Sequence, residues 1–260
     1  MTTVADILNY LETLAPRSMK MDWDNVGLLC GSKHAEVTKV LVALDPFEVV
    51  CQEAADIGAQ LIVTHHPLIF QAPKSITDET SIGRCIMQLC RHGISAINAH
   101  TNLDCAPDGV NDVLAATLGL ENIQIINPVQ AEVPYGLLRC GNVPTQPLQT
   151  FLATVKDSLR CEGIRYVDAG KPVCKVAVGG GSCAGGMMEA YEAGCDTFVT
   201  ADIKYNQFWD AQDLGLNLID AGHFHTENPI VAVLAKKIAV AFPEIEVKIS
   251  EIHRDCVKYY

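Results

Sequence analysis

The chain lacks a basic surplus: 19 Lys and Arg stand against 31 Asp and Glu in 260 residues, a formal net charge of −12. Proteins that coat nucleic acid neutralise phosphates with clustered Lys and Arg, so this balance argues against a nucleic-acid partner. It argues equally against a basic membrane-surface module. Long apolar runs are missing too, and none approaches the roughly 18 residues that span a bilayer. The opening stretch MTTVADILNYLETLAPR carries Asp6 and Glu12 among its apolar residues, which a secretory signal does not. No C-x-x-C pair occurs among the 11 cysteines, an odd number. They read as small hydrophobes kept reduced, which points to the cytoplasm. What is present is core-forming material. Hydrophobic residues make 49% of the chain with ordinary Gly and Pro, enough for one large domain or two smaller ones and too much for disorder.

Short β-rich runs alternate with helical patterns, and the alternation repeats. Lys39-Val-Leu-Val-Ala-Leu, the helical PFEVVCQEAADI, Gly58 and Leu61-Ile-Val-Thr form one copy. Lys175-Val-Ala-Val, a helix through MMEAYEA, Gly194 and Thr197-Phe-Val-Thr form the other. Lys39 to Thr64 and Lys175 to Thr200 are the same 25 residues apart. Each copy continues through a helix to a Gly (Gly93, Gly215) and a third strand, ISAINA at 94–99 or LNLIDA at 216–221. The first copy is longer there, with QAPKSITDET reading as an insertion. Gly between a helix and the next strand suits a left-handed helix end. The expected fold is therefore α/β: two similar lobes related by internal duplication, each a mainly parallel sheet flanked by helices. The segment 130–172 reads as the opening of the second lobe.

Open α/β sheets bind ligands beyond the carboxyl ends of their strands. Thr64-His65-His66-Pro67, His100-Thr101-Asn102-Leu103-Asp104 and His223-Phe224-His225-Thr226-Glu227 all follow such ends. Imidazoles mixed with carboxylates and no thiolate suit a divalent ion such as Zn, Mn, Fe, Co or Ni. Adjacent His65 and His66 are expected on opposite sides of an extended backbone, each serving a different ion of a close pair, with Glu227 or Asp104 bridging. Pro229 suggests a helix starting near Thr226, which leaves His223 in the preceding loop. His225 either supports a neighbouring ligand or is solvated. His34, His92 and His253 lack convergent neighbours and are expected at the surface. Gly179-Gly180-Gly181-Ser182-Cys183-Ala184 matches G-x-G-x-x-A, and either cradles a phosphate of the substrate or only makes a tight turn. Trp23-Asp24-Asn25-Val26-Gly27 reads as a loop used in packing or an interface.

Together THHP at 64–67, HTNLD at 100–104, VAVGGGS at 176–182, TADIKY at 200–205 and DAGHFHTE at 220–227, with WDNVGL at 23–28, resemble the Nif-three-like proteins. These are often labelled GTP cyclohydrolase I type 2 homologs or dinuclear-metal-centre proteins. The resemblance implies two α/β lobes, here 1–127 and 128–260, a site for two divalent ions between them, and a ring-shaped homohexamer. It implies His65, His66, Asp104, His223 and Glu227 as metal ligands, with His100 close by. Many members have Gly where this chain has Ala201, and longer ones carry a mid-chain domain for which this chain is too short. The implied activity is hydrolysis of a nucleotide or related small molecule by metal-activated hydroxide, His100 shuttling a proton and Lys204 steadying negative charge. The rival expectation is a non-enzymatic protein that binds or delivers metal, or a regulatory docking partner, built on the same ligands. A dinucleotide-binding protein based on Gly179–Ala184 is a weaker third.

Overall fold

A computed structural model describes all 260 residues. In chain order the helices and strands are α1 (Val4–Leu14), β1 (Gly27–Cys30), β2 (Lys39–Ala43), α2 (Glu48–Asp56), β3 (Leu61–Thr64), α3 (Ser81–His92), β4 (Ser95–Asn98) and α4 (Thr101–Cys105). Next come α5 (Val110–Thr117), β5 (Glu121–Ile125), β6 (Arg139–Gln146), α6 (Leu148–Leu159), β7 (Arg165–Val167), β8 (Val173–Val178), α7 (Met187–Glu192) and β9 (Thr197–Thr200). The chain closes with α8 (Tyr205–Leu214), β10 (Asn217–Asp220), α9 (His223–Glu227), α10 (Pro229–Ala241) and β11 (Glu246–Ile249). No helix is long and apolar enough to cross a membrane.

Two compact units result, residues 1–103 with 230–254 and residues 104–229 with 255–260. The division differs from the expected break at 127/128. The chain passes to the second unit within α4, so that α5 and β5 belong there, and it returns within α10. The return has a plain cause. Strand β11 pairs in parallel with β2, Glu246 opposite Lys39 and Ile249 opposite Val42. Tyr10 of α1 packs edge-on against Phe242 and donates its hydroxyl to Lys237 O at 3.2 Å.

The first unit holds a five-stranded sheet in the order β1-β4-β3-β2-β11, parallel except at β1. The second holds six strands in the order β5-β6-β8-β9-β10-β7, with a parallel β8-β9-β10 centre and antiparallel strands outside it. Central strands are apolar runs because both faces are covered: Leu41, Ile62, Val63, Val176, Phe198 and Val199 are fully buried. The cysteines are free thiols, seven of them buried, and Cys51 and Cys85 pack in the first core as Cys140 and Cys195 do in the second.

Each sheet is built on the same β-α-β-α-β run, as the 25-residue register predicts. Val40 pairs with Leu61 and Val176 with Thr197, 21 positions on in both cases. The local hydrogen bonds correspond as well. The Gln60 side chain accepts from the N–H groups of Thr38 and Lys39, and the Asp196 carboxylate accepts from those of Cys174 and Lys175. Lys39 Nζ donates to Ile57 O and Lys175 Nζ to Ala193 O. Such pairing of devices is consistent with duplication. Gly93 and Gly215 end α3 and α8 with φ of 65° and 67°, the left-handed conformation expected of them. QAPKSITDET forms no strand and only turns before α3.

Candidate functional site

In the first unit the strand ends bring three imidazoles together. His65 and His66 follow β3, and His100 follows β4, one strand away in the sheet. The chain bends at His65 and His66 as soon as pairing stops, because the His66 N–H turns to Leu44 O at 2.9 Å and Thr64 Oγ1 donates to His66 O at 2.7 Å. That bend overturns the expected opposite placement. The two rings lie 4.8 Å apart, each about 5 Å from that of His100, and the three offer ligand atoms within 4.8 Å of one another.

Each ring is oriented through Nδ1. His65 donates to Ala99 O at 2.9 Å, His66 to Asp45 at 2.7 Å and His100 to Asp24 at 2.8 Å. An acceptor on Nδ1 selects the tautomer whose lone pair is on Nε2, the form in which imidazole ligates metal. The two carboxylates are themselves held. Burial by itself would raise the Asp24 carboxyl, but hydrogen bonds from His100 and Thr101 outweigh it and keep it well below the usual carboxylate range. Burial likewise opposes ionisation of Asp45, and hydrogen bonds from His253 and His66 more than offset it. His253, expected at the surface, is buried, 3.0 Å from Asp45 through Nε2 and beside the Phe47 ring. The β11–β2 pairing carries it there, a contact across some two hundred residues that no local pattern announces. His34 and His92 are exposed, as expected.

The second unit gathers carboxylates. His223 is not in a loop: Gly222, at φ 85°, starts the short helix α9, and Pro229 opens α10 instead. His223 and Glu227 therefore stand one helical turn apart, with Nε2 and Oε2 separated by 3.0 Å. His223 Nδ1 donates to Asp202 at 2.7 Å, and Asp202 has the left-handed φ of 54° that Asp tolerates. Asp104 on α4 and Glu227 are both buried, with ligand atoms within 4.8 Å of each other. Buried carboxylates this close repel, and a divalent cation relieves that repulsion. The neighbouring Cys183 thiol registers the same field, raised by burial and then by Asp104 and Glu227. His225 is half-buried, Nδ1 donating to Leu159 O and Nε2 3.3 Å from Asp255, so it braces the helix rather than joining the cluster.

Of the two readings of the glycine run, its hydrogen bonds fit the tight turn rather than the amide cradle. The N–H groups of Gly179, Gly180 and Gly181 already donate to Val199 O, Asn111 Oδ1 and Thr226 Oγ1, while Ser182 is exposed. The glycines serve close approach instead. A Cβ on Gly181, at φ 60°, would overlap Glu227 Oε1 and come within 3.0 Å of His223 Nε2. Lys204 is exposed at the start of α8, its N–H donating to Gln207.

Reading the motifs by residue type missed Asp24, Asp45 and Asp202, the carboxylates that hold His100, His66 and His223. Two of them were within reach of the strand-end rule, since Asp45 lies two residues beyond β2 and Asp202 two beyond β9.

Residues 2–256 match the family model described as Duf34/NIF3 (NGG1p interacting factor 3). The chain belongs to the Duf34/NIF3 family. A GTP cyclohydrolase 1 type 2 homolog of Clostridium perfringens is 35% identical over 235 residues, covering 90% of each chain. The crystal structure of the Staphylococcus aureus hypothetical protein SA1388 superposes with a TM-score of 0.91 at 33% identity, over 99% of both chains. That of a Bacillus cereus protein related to NIF3 gives 0.95 at 26% identity, over 100% of this chain and 99% of its own. The Duf34/NIF3 fold thus extends along the whole length, and the His, Asp and Glu groups able to hold metal stand at its strand ends.

Proposed function

We propose that this Duf34/NIF3 protein is a divalent-metal-dependent hydrolase acting on a nucleotide or related small molecule. His65, His66, Asp104, His223 and Glu227 are its metal ligands, for two ions drawn from Zn, Fe, Mn, Co or Ni. The observation that carries the reading is the tethering of His65, His66 and His223 through Nδ1, which prepares Nε2 for a cation. The buried pair Asp104 and Glu227 adds negative charge for it to balance. A bound divalent ion would act as a Lewis acid and lower the pKa of water towards neutrality.

The remaining roles fall to the chain's own groups. His100, held by Asp24, takes up and returns a proton at Nε2. Lys204 supplies a mobile cation for negative charge developing on the substrate. The name carried by the Clostridium perfringens relative supports a nucleotide-like substrate. A cytoplasmic homohexamer is part of the same proposal, and light scattering in solution tests its mass.

The deciding experiment is a nucleotide-hydrolysis screen on protein of measured metal content, with His65→Ala beside it. Turnover that follows metal content and disappears in His65→Ala is expected. A metal-replete protein that converts nothing and passes its ions to a client protein would replace the hydrolase with a metal carrier.

A further inference from the structure

Two large rings stand exposed beside the imidazole cluster of the first unit. Trp23 is 62% exposed and Phe70 49%. They meet edge to face with centroids 5.7 Å apart, and each lies a little over 6 Å from the His100 ring. The sequence pattern suggests packing or an interface for the Trp23 loop, and the indole is largely uncovered.

The loop that presents it is firmly tied. Asp24 is buried and accepts from His100 Nδ1 and the Thr101 N–H. Asn25 Nδ2 donates to Ile69 O at 2.6 Å, which fixes the Trp23 loop to the residue before Phe70. Asn98 Nδ2 donates to Asn25 O, and the Met21 N–H to Thr101 Oγ1. The backbone on both sides of Trp23 is therefore anchored to the strand end that carries His100. The pinned loop leaves the backbone beneath the indole little freedom for binding to remove.

We propose that Trp23 and Phe70 form a ring-binding wall that stacks a planar heteroaromatic ligand, a purine or a similar fused ring, beside His65, His66 and His100. Such a ring satisfies both features at once. Its π-face covers the exposed aromatics, and its polar edge reaches towards the imidazoles. An aliphatic group would meet only the first requirement, and a sugar phosphate only the second. This inference names the substrate class of the reading above and rests on it.

The test uses the full metal-loaded chain with Trp209→Phe, which leaves Trp23 the sole indole of the two. Guanosine 5′-monophosphate and adenosine 5′-monophosphate are titrated against indole fluorescence, with ribose 5-phosphate as the ring-free control. Saturable quenching by the nucleotides alone is expected. Nucleotide affinity, measured by calorimetry, should fall about ten-fold in Trp23→Leu and in Phe70→Leu and recover in Trp23→Phe. Metal content should be unchanged in all three. Absence of quenching, or nucleotide binding within two-fold of the parent in both Leu variants, overturns the proposal. So does loss of an oligomer in Trp23→Leu with nucleotide affinity intact, which would assign the wall to a second copy of the chain. The two readings fail separately. Ring-dependent quenching in a chain that takes up no metal removes the hydrolase and keeps the wall, whereas metal-dependent turnover insensitive to both Leu variants does the opposite.

Discussion

The same strand ends carry different chemistry in the two halves of the repeat. Residues 136 positions apart correspond, as Lys39 does to Lys175 and Gln60 to Asp196. On that register His65 and His66 beyond β3 match Ala201 and Asp202 beyond β9, and Asp45 beyond β2 matches Gly181 beyond β8. In the first unit Asp45 is the carboxylate that steers His66. In the second, the room a side chain would need at Gly181 is occupied by Glu227, and Asp202 steers His223. The matched β-α-β-α-β runs thus repeat the positions while exchanging the roles of candidate ligand, orienting carboxylate and empty space.

The sharpest way to break this comparison is to give the second unit the first unit's side chain. Gly181→Asp should overlap Glu227, and even Gly181→Ala should cost about 2–4 kcal/mol of stability from crowding and a left-handed φ. Urea unfolding measures it, and a stable Gly181→Ala protein with unchanged metal uptake would show that the space is dispensable. Next come the orienting carboxylates. Asp45→Asn and Asp202→Asn should each weaken metal binding roughly 10- to 100-fold, read by competition with a chromogenic chelator. Equal losses would mean that the two halves contribute equivalent imidazoles. A loss only in Asp45→Asn would make His66 a ligand and His223 a bystander.

A smaller effect tests the scaffold. Asp196→Ala should cost about 2 kcal/mol and Gln60→Ala about 1, because a charged acceptor on two backbone N–H groups is worth more than a neutral one. Thermal unfolding of the metal-free protein separates this from ion binding. At the bottom of the scale, His34→Ala and His92→Ala should change stability by less than about 0.5 kcal/mol and leave metal content unchanged, being exposed and outside both clusters.

Much of the candidate site was legible because strand ends can be found from apolar runs and glycine stops. His65, His66, His100, Asp104, His223 and Glu227 all fall there. Their orientation was less accessible. The bend at His65 and His66 arises from a hydrogen bond to Leu44 O, a residue on a neighbouring strand end. The start of α9 at His223 rests on Gly222, whose positive φ is visible only in the fold, while Pro229 drew attention to the following helix. The glycine run leaves two readings open for a related cause. Its pattern is shared by loops that offer their N–H groups to a ligand and by loops that spend them on Asn111 and Thr226.

Periodicity and composition alone determined an acidic α/β chain with a repeated β-α-β-α-β run and a row of imidazoles and carboxylates after its strands. Those are consequences of local preference, written in neighbouring residues. Only the tertiary structure decided which carboxylate steers which ring, that His253 is buried against Asp45, and that β11 returns to the first sheet. Each of these depends on residues far apart in the chain meeting at one point, and burial there determines which hydrogen bonds the polar groups make.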